Sequence, residues 1–311
     1  MMRWSQCFCC SASAALRCVL NLHCVELRQL FSLPYTFAVA THKTMSSNKS
    51  DKIYTVLIEG NVGSGKTTFL ERFADCPNVL LAKEPVHKWQ NVDGYNFLGL
   101  MYDDPKRWSF AFQSIVQRTM LEMHQLRPNS NQNIKIMERS IYSARNIFVE
   151  NLFKDNYLSA PEYAVLDAWY KWLTENVEIE CDLIIYLRTE PEVAYKRIKT
   201  RGRSEEKAIP FEHIKHLHEL HEKWLNVERT KVPNATPVVV VDANQNMEYV
   251  EKESKYIRDL ITANASASAV VESQVKDKSN NDNDQILKDI HKISPKCKLI
   301  SDAAIIPVQR V

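Results

Sequence analysis

The stretch Gly60-Asn61-Val62-Gly63-Ser64-Gly65-Lys66-Thr67-Thr68 decides how the rest of the chain is read. It follows the apolar run Ile53–Glu59 and opens a helix-forming segment, so the pattern is strand, glycine-rich turn, helix. Glycines in such a turn let successive backbone N–H groups face phosphate oxygens, at a helix N-terminus whose dipole also favours anions. Lys66 is placed to neutralise β/γ-phosphate charge, and Thr67 offers a hydroxyl to Mg²⁺. Only six glycines exist in the chain, and Gly60, Gly63 and Gly65 are three of them, so the loop is not a by-product of glycine richness. A phosphate loop alone does not separate GTPases, motor ATPases and small-molecule kinases.

From Lys52 to about Ile261, short β-rich runs alternate with longer helical stretches, the pattern of a parallel sheet covered on both faces. Five runs read as strands buried on both sides: Ile53–Glu59, Val79–Lys83, Ile134–Glu138, Leu183–Arg188 and Val238–Asp242. The longest helical stretches run from Pro105 to Leu126, Pro161 to Glu175 and Phe211 to Arg229. The fold class is therefore α/β, a P-loop NTPase with a five-stranded parallel sheet and helices on both faces.

Residues 51–262 hold this domain, between an extension at 1–50 and a tail at 263–311. The first 44 residues set Arg3, Arg17, Arg28 and Lys43 against the single acid Glu26, the composition of a mitochondrial transit peptide. Met45 could equally be a start, so mitochondrion and cytoplasm both stay open. Beyond Thr262 the chain turns polar and reads as disordered. The formal charge of +2 gives no global field for nucleic acid, and no apolar run suits a membrane span. Five of the eight cysteines fall within the first 24 residues and the rest are scattered, which supports neither a disulfide framework nor a zinc site.

Ligands of an open parallel sheet lie outside the carboxyl ends of its strands. Glu84-Pro-Val-His-Lys-Trp89 follows the second strand, and Glu138-Arg139-Ser140 ends the third. A phosphoryl acceptor hydroxyl needs a carboxylate to orient it and take its proton. Glu84 suits that task, Arg139 would hold it ionised, and Glu138 could hold Mg²⁺ through water. Either carboxylate taken alone is as readily a solvated strand end.

With these residues the chain resembles the deoxyribonucleoside kinase family, and within it the insect multisubstrate and mitochondrial thymidine kinase branches. The likeness spans roughly Ile53 to Asp242. It rests on Gly60–Thr68, Glu84–Trp89, Leu100-Met101-Tyr102, Phe112-Gln113-Ser114, Ile136–Arg145, Asp182–Arg188 and Arg201-Gly-Arg203-Ser-Glu-Glu206, in order. The resemblance implies transfer of the γ-phosphoryl group of ATP, with Mg²⁺, to a deoxynucleoside 5′-hydroxyl. It also implies Glu84 as catalytic base, Arg139 as its partner, Lys66 at the phosphates, and Tyr102 with Glu206 on the sugar 3′-hydroxyl. Arg197, Arg201 and Arg203 would form a lid over the triphosphate, where planar forks suit phosphate oxygens. Without the family, Arg-Gly-Arg before Glu-Glu is more often a solvated helix end.

Trp89, Phe112 and Phe148 match the aromatic positions that sandwich the base, and Met101 lies in the same substrate set. The Gln113 carboxamide has both donor and acceptor for a pyrimidine edge. Val116, Met120 and Ala144 stand where relatives favouring deoxycytidine and purines carry polar residues. The apolar set leaves room for a thymine methyl, so thymidine and deoxycytidine are the expected substrates. A homodimer is implied by the family alone. The rivals are a nucleoside monophosphate kinase, which would want extra arginine near Glu84, and a non-catalytic respiratory complex I subunit of the same fold. The His213, His216, His218, His221 run lacks zincin spacing and reads as a solvated helix face.

Overall fold

Every residue of the first strand is buried, which places it in the middle of a sheet rather than at an edge. In the computed structural model, which describes residues 52–207, 209–227, 232–233 and 236–277, that is its position. The strands are β1 (Tyr54–Glu59), β2 (Val79–Ala82), β3 (Ile134–Glu138), β4 (Leu183–Arg188) and β5 (Val238–Asp242), in the order β2-β3-β1-β4-β5. All neighbours pair in parallel, as the apolar runs require.

Successive β1 side chains point to opposite faces and feed two cores. Leu57 joins Met137 and Ile184 under Met120, Leu217 and Trp224, while Val56 and Ile58 join Ile136 and Ile185 against Phe69, Phe73, Ile257 and Ile261. Helices therefore cover both faces. Pairing of Ile58 with Glu138 and of Ala82 with Met137 aligns the carboxyl ends of β1, β2 and β3. That alignment brings the glycine loop, Glu84 and Arg139 to one edge.

The helices are α1 (Lys66–Glu71), α2 (Val86–Gln90), α3 (Phe97–Asp103), α4 (Pro105–His124), α5 (Ile141–Ser143), α6 (Glu150–Lys154), α7 (Ala160–Asn176), α8 (Pro191–Arg201), α9 (Phe211–His221) and α10 (Met247–Asp277). A π-helical stretch, Ala144–Val149, joins α5 to α6, and another, Glu222–Val227, continues α9. Asp104 caps α4 by accepting from the Arg107 N–H, with Pro105 in the first turn where its missing N–H costs nothing. Gly202, at φ 68°, ends α8 in the left-handed conformation that glycine adopts without penalty.

Four differences from the sequence reading have physical causes. The helices α2, α3, α5 and α6 went unread because each is too short to display a 3.6-residue period. The stretch read as one helix from Phe211 is α-helical only to His221, and Arg229 lies outside the described residues. His221 is fully buried and His213, His216 and His218 are partly buried, so they do not form a solvated face. Finally, α10 runs to Asp277, past the boundary at 262, with Ile257, Ile261 and Ala265 buried one helical turn apart. The stretch after Thr262 that read as polar and disordered alternates alanine with Asn and Ser, and alanine is the strongest helix former. Residues 1–51 and 278–311, with the leader and most of the tail, lie outside the described residues. Among those described, no helix is long and apolar enough to cross a membrane.

Candidate active site

Glycine geometry builds the donor end. Gly65 sits at φ 91° as the residue before α1, with open space where a Cβ would be, so its backbone faces the cavity. Gly63, at φ +80°, is pressed against α8: an added Cβ would stand 2.5 Å from the Ala194 carbonyl oxygen. Gly63→Ala therefore combines left-handed strain of about 1–2 kcal/mol with a backbone clash. The expected result is a lower Tm and lost nucleotide binding, checked by thermal unfolding and ATP titration. Lys66 Nζ lies 2.7 Å from the Asn61 carbonyl and 3.2 Å from that of Gly60. Burial, then the charge of Arg139, pulls its pKa down to about 7 against the carboxylates of Glu138, Glu84 and Glu59. The loop is fixed to α9 by Asn61 Nδ2, which donates to the Ile214 carbonyl at 2.8 Å.

At the ends of β2 and β3, Arg139 Nε lies 2.8 Å from Glu84 Oε1. Its N–H is not aimed along that line, so the contact is ionic, and the buried Nε has no hydrogen-bond acceptor. Arg139 Nη1 donates to the Gly60 carbonyl at 3.0 Å, and its guanidinium covers the Phe148 ring at 4.7 Å. The Arg139 backbone holds φ 64°, an outlier for a residue with a side chain. Thr67 Oγ1 donates to Glu138 Oε1 at 2.8 Å, and Glu138 Oε2 accepts from the Glu84 N–H at 3.4 Å. A hydroxyl and a carboxylate beside the phosphate loop form the hard oxygen set that suits Mg²⁺.

One cavity of about 670 Å³ runs from this loop to an aromatic pocket. Every sequence-predicted site residue lines it except Gly60 and Asn61, which reach it through Lys66 and Arg139. Trp89 and Phe112 meet edge to face at 5.7 Å, and Val116, Met120 and Ala144 are buried beside them. Gln113 is buried with Oε1 unpartnered. A buried carboxamide oxygen without a donor is costly, and an N–H on a bound base edge would satisfy it. Above the loop, Arg201 Nη2 donates to Glu206 Oε2 at 2.5 Å and Arg203 Nη1 to Glu206 Oε1 at 2.7 Å. Glu206 is buried, while burial alone depresses the pKa of Arg197.

Comparison with known proteins fixes the chemistry that this geometry allows. A family model described as deoxynucleoside kinase matches residues 56–266. Human mitochondrial thymidine kinase 2 is 45% identical over 213 residues, covering 68% of this chain and 79% of that protein. Chicken deoxycytidine kinase 2 is 32% identical over 247 residues (70% and 92%), and Xenopus laevis mitochondrial deoxyguanosine kinase is 32% identical over 229 residues (66% and 86%). The chain belongs to the deoxynucleoside kinase family.

Two positions in this deoxynucleoside kinase escaped the sequence. Glu59 is wholly buried at the end of β1, where it accepts from Ser140 Oγ at 2.5 Å. Burial pushes its pKa up to about 7, against the Ser140 hydrogen bond and the charge of Arg139. Ser140 and Ser143 form a capping box directly after Arg139, so Glu59 braces the turn that carries the strained arginine. Glu59 is followed by the glycine loop, not by an arginine as Glu138 is, so its strand end was not singled out. Thr119, also fully buried, accepts from the Trp89 indole N–H at 2.9 Å and so fixes the ring in the aromatic pocket. Thr119→Val keeps the shape and orphans that donor, at a cost of about 1–3 kcal/mol. The expected outcome is a Tm lowered by roughly 2–4 °C per kcal/mol. Nucleoside KM should rise more than kcat falls.

Proposed function

We propose that this kinase transfers the γ-phosphoryl group of ATP, with Mg²⁺, to the 5′-hydroxyl of thymidine and deoxycytidine in preference to purine deoxynucleosides. The observation that carries the proposal is the Glu84–Arg139 pair, 2.8 Å apart, in one cavity between the phosphate loop and the aromatic pocket. Glu84 orients the 5′-hydroxyl and accepts its proton, and Arg139 holds that carboxylate in place from 2.8 Å. Lys66 and the loop N–H groups hold the β- and γ-phosphates, and Arg197, Arg201 and Arg203 close on them. Thr67 and Glu138 would hold Mg²⁺, which would supply neutralisation of phosphate charge. Tyr102 and Glu206 hold the 3′-hydroxyl. Trp89, Phe112 and Phe148 stack the base, a contribution of about 1–3 kcal/mol, while Gln113 reads its edge. Met101, Val116, Met120 and Ala144 leave space for the thymine methyl.

The partner is a second copy of the chain. Val165, Trp169 and Trp172 are exposed along one face of α7, and an unpaired apolar stripe of that kind favours self-association. The compartment is the mitochondrion, the cytoplasm or both, in keeping with the transit-like leader and the names of the relatives. The test is phosphorylation of the four deoxynucleosides and thymidine monophosphate by the purified chain with Mg-ATP. Thymidine and deoxycytidine should turn over fastest. Conversion of the monophosphate alone would make it a nucleotide kinase, and no conversion would make it a non-catalytic relative.

A further inference from the structure

Glu206 belongs to both ends of the cavity. Its two carboxylate oxygens are occupied by Arg201 and Arg203, and the carboxylate is buried although both arginines are partly exposed. All three side chains line the cavity that Lys66 shares. The guanidinium forks of Arg201 and Arg203 suit phosphate oxygens as well as they suit a carboxylate, so a phosphate competes with Glu206 for them, and a Glu206 oxygen so released accepts a hydroxyl. On the acceptor side, Tyr102 on α3 packs against Ala194, Ile198 and Ile214 of α8 and α9. Burial, then the negative charges of Glu206 and Glu84, raise the Tyr102 pKa, so the phenol stays protonated in the cavity that all three line. The turn that carries Glu206 is also tied to the nucleoside side: Glu205 Oε1 accepts from Gln90 Nε2 at 2.7 Å and from Asn96 Nδ2 at 3.0 Å.

We infer that Glu206 couples the two substrates, so that the deoxynucleoside 3′-hydroxyl and the donor triphosphate bind more tightly together than apart. The inference rests on the proposed function. A triphosphate draws guanidinium donors from Glu206 and leaves a buried carboxylate short of partners, which is unfavourable. A 3′-hydroxyl donated to Glu206 fills the vacated acceptor site and is worth more once the triphosphate is bound. By linkage, the nucleoside strengthens triphosphate binding by the same factor. The 3′-hydroxyl thus acts through cooperativity, beyond its own hydrogen bond.

The experiment is calorimetric titration of the wild-type chain with thymidine and with 3′-deoxythymidine, each with and without saturating Mg²⁺ and the non-hydrolysable β,γ-imido analogue of ATP. The analogue should tighten thymidine binding by about fivefold or more, and 3′-deoxythymidine by less than about twofold. Equal tightening of the two nucleosides, or none of thymidine, overturns the coupling. Turnover of thymidine is measured in parallel. If thymidine is neither bound nor phosphorylated, the proposed function itself fails, which is a distinct result. Because the hydroxyl is removed from the ligand, the test does not depend on a Glu206 variant folding. Glu206→Gln, where it folds, should abolish the difference between the two nucleosides.

Discussion

Glu84→Gln is expected to lower kcat by about 10²–10⁴-fold while leaving the ATP dissociation constant within about twofold. The substitution keeps the size of the side chain and removes the carboxylate proposed to accept the 5′-hydroxyl proton. It also withdraws the negative charge 2.8 Å from Arg139 Nε, but that guanidinium retains the Gly60 carbonyl and the Phe148 ring, so the arginine stays in place. The phosphate loop makes its contacts through Lys66 to the Asn61 and Gly60 carbonyls, which do not involve Glu84. Donor binding and chemistry should therefore separate. Single-turnover phosphorylation of thymidine measures the first effect, and calorimetric titration with ATP measures the second. Near-normal turnover would remove Glu84 from the role of base, and Glu138, whose Oε2 accepts from the Glu84 N–H, would become the next candidate.

The sequence made the sheet legible because parallel strands buried on both faces are unbroken apolar runs, and all five runs fell on real strands to within a residue at either end. It also made the strand ends legible, since the glycine loop, Glu84 and Arg139 are short motifs whose position after a strand gives them meaning. What it could not display were features that depend on distant partners. Glu59 becomes a brace for Arg139 only because β3 lies beside β1 and delivers Ser140. Thr119 matters through Trp89, thirty positions away. The pairing of Arg201 and Arg203 with Glu206 lies within a single short segment, yet a run of arginines before two glutamates reads as solvent-exposed until a buried carboxylate is seen. The histidines of α9 misled for the opposite reason: they alternate with charged residues, but His221 stacks on Tyr186 in the interior.

Those buried charges share one electrostatic consequence. Burial and the charge of Arg139 act on Lys66 against the carboxylates of Glu138, Glu84 and Glu59, and burial outweighs the carboxylates. With a pKa near 7 against an ordinary 10.5, Lys66 is about half charged at neutral pH. The unfolded chain binds the proton more tightly than the folded one across that window, so this residue makes the free protein more stable as pH rises from about 7 toward 10.5.

A bound triphosphate reverses the preference, because its negative charge favours the ammonium form. Nucleotide binding at pH 8 should therefore take up close to one proton per site, seen as a binding enthalpy that varies with the ionisation enthalpy of the buffer. Affinity should weaken as pH rises above about 7, where the free lysine loses its proton. Lys66→Ala removes both effects and is expected to lower kcat by about 10²–10³-fold, the loss typical of one charge-stabilising donor. Proton uptake that persists in Lys66→Ala would assign the titration to Glu59, whose pKa is also near 7. Uptake that is absent in the wild type would mean that Lys66 is already charged before the nucleotide arrives.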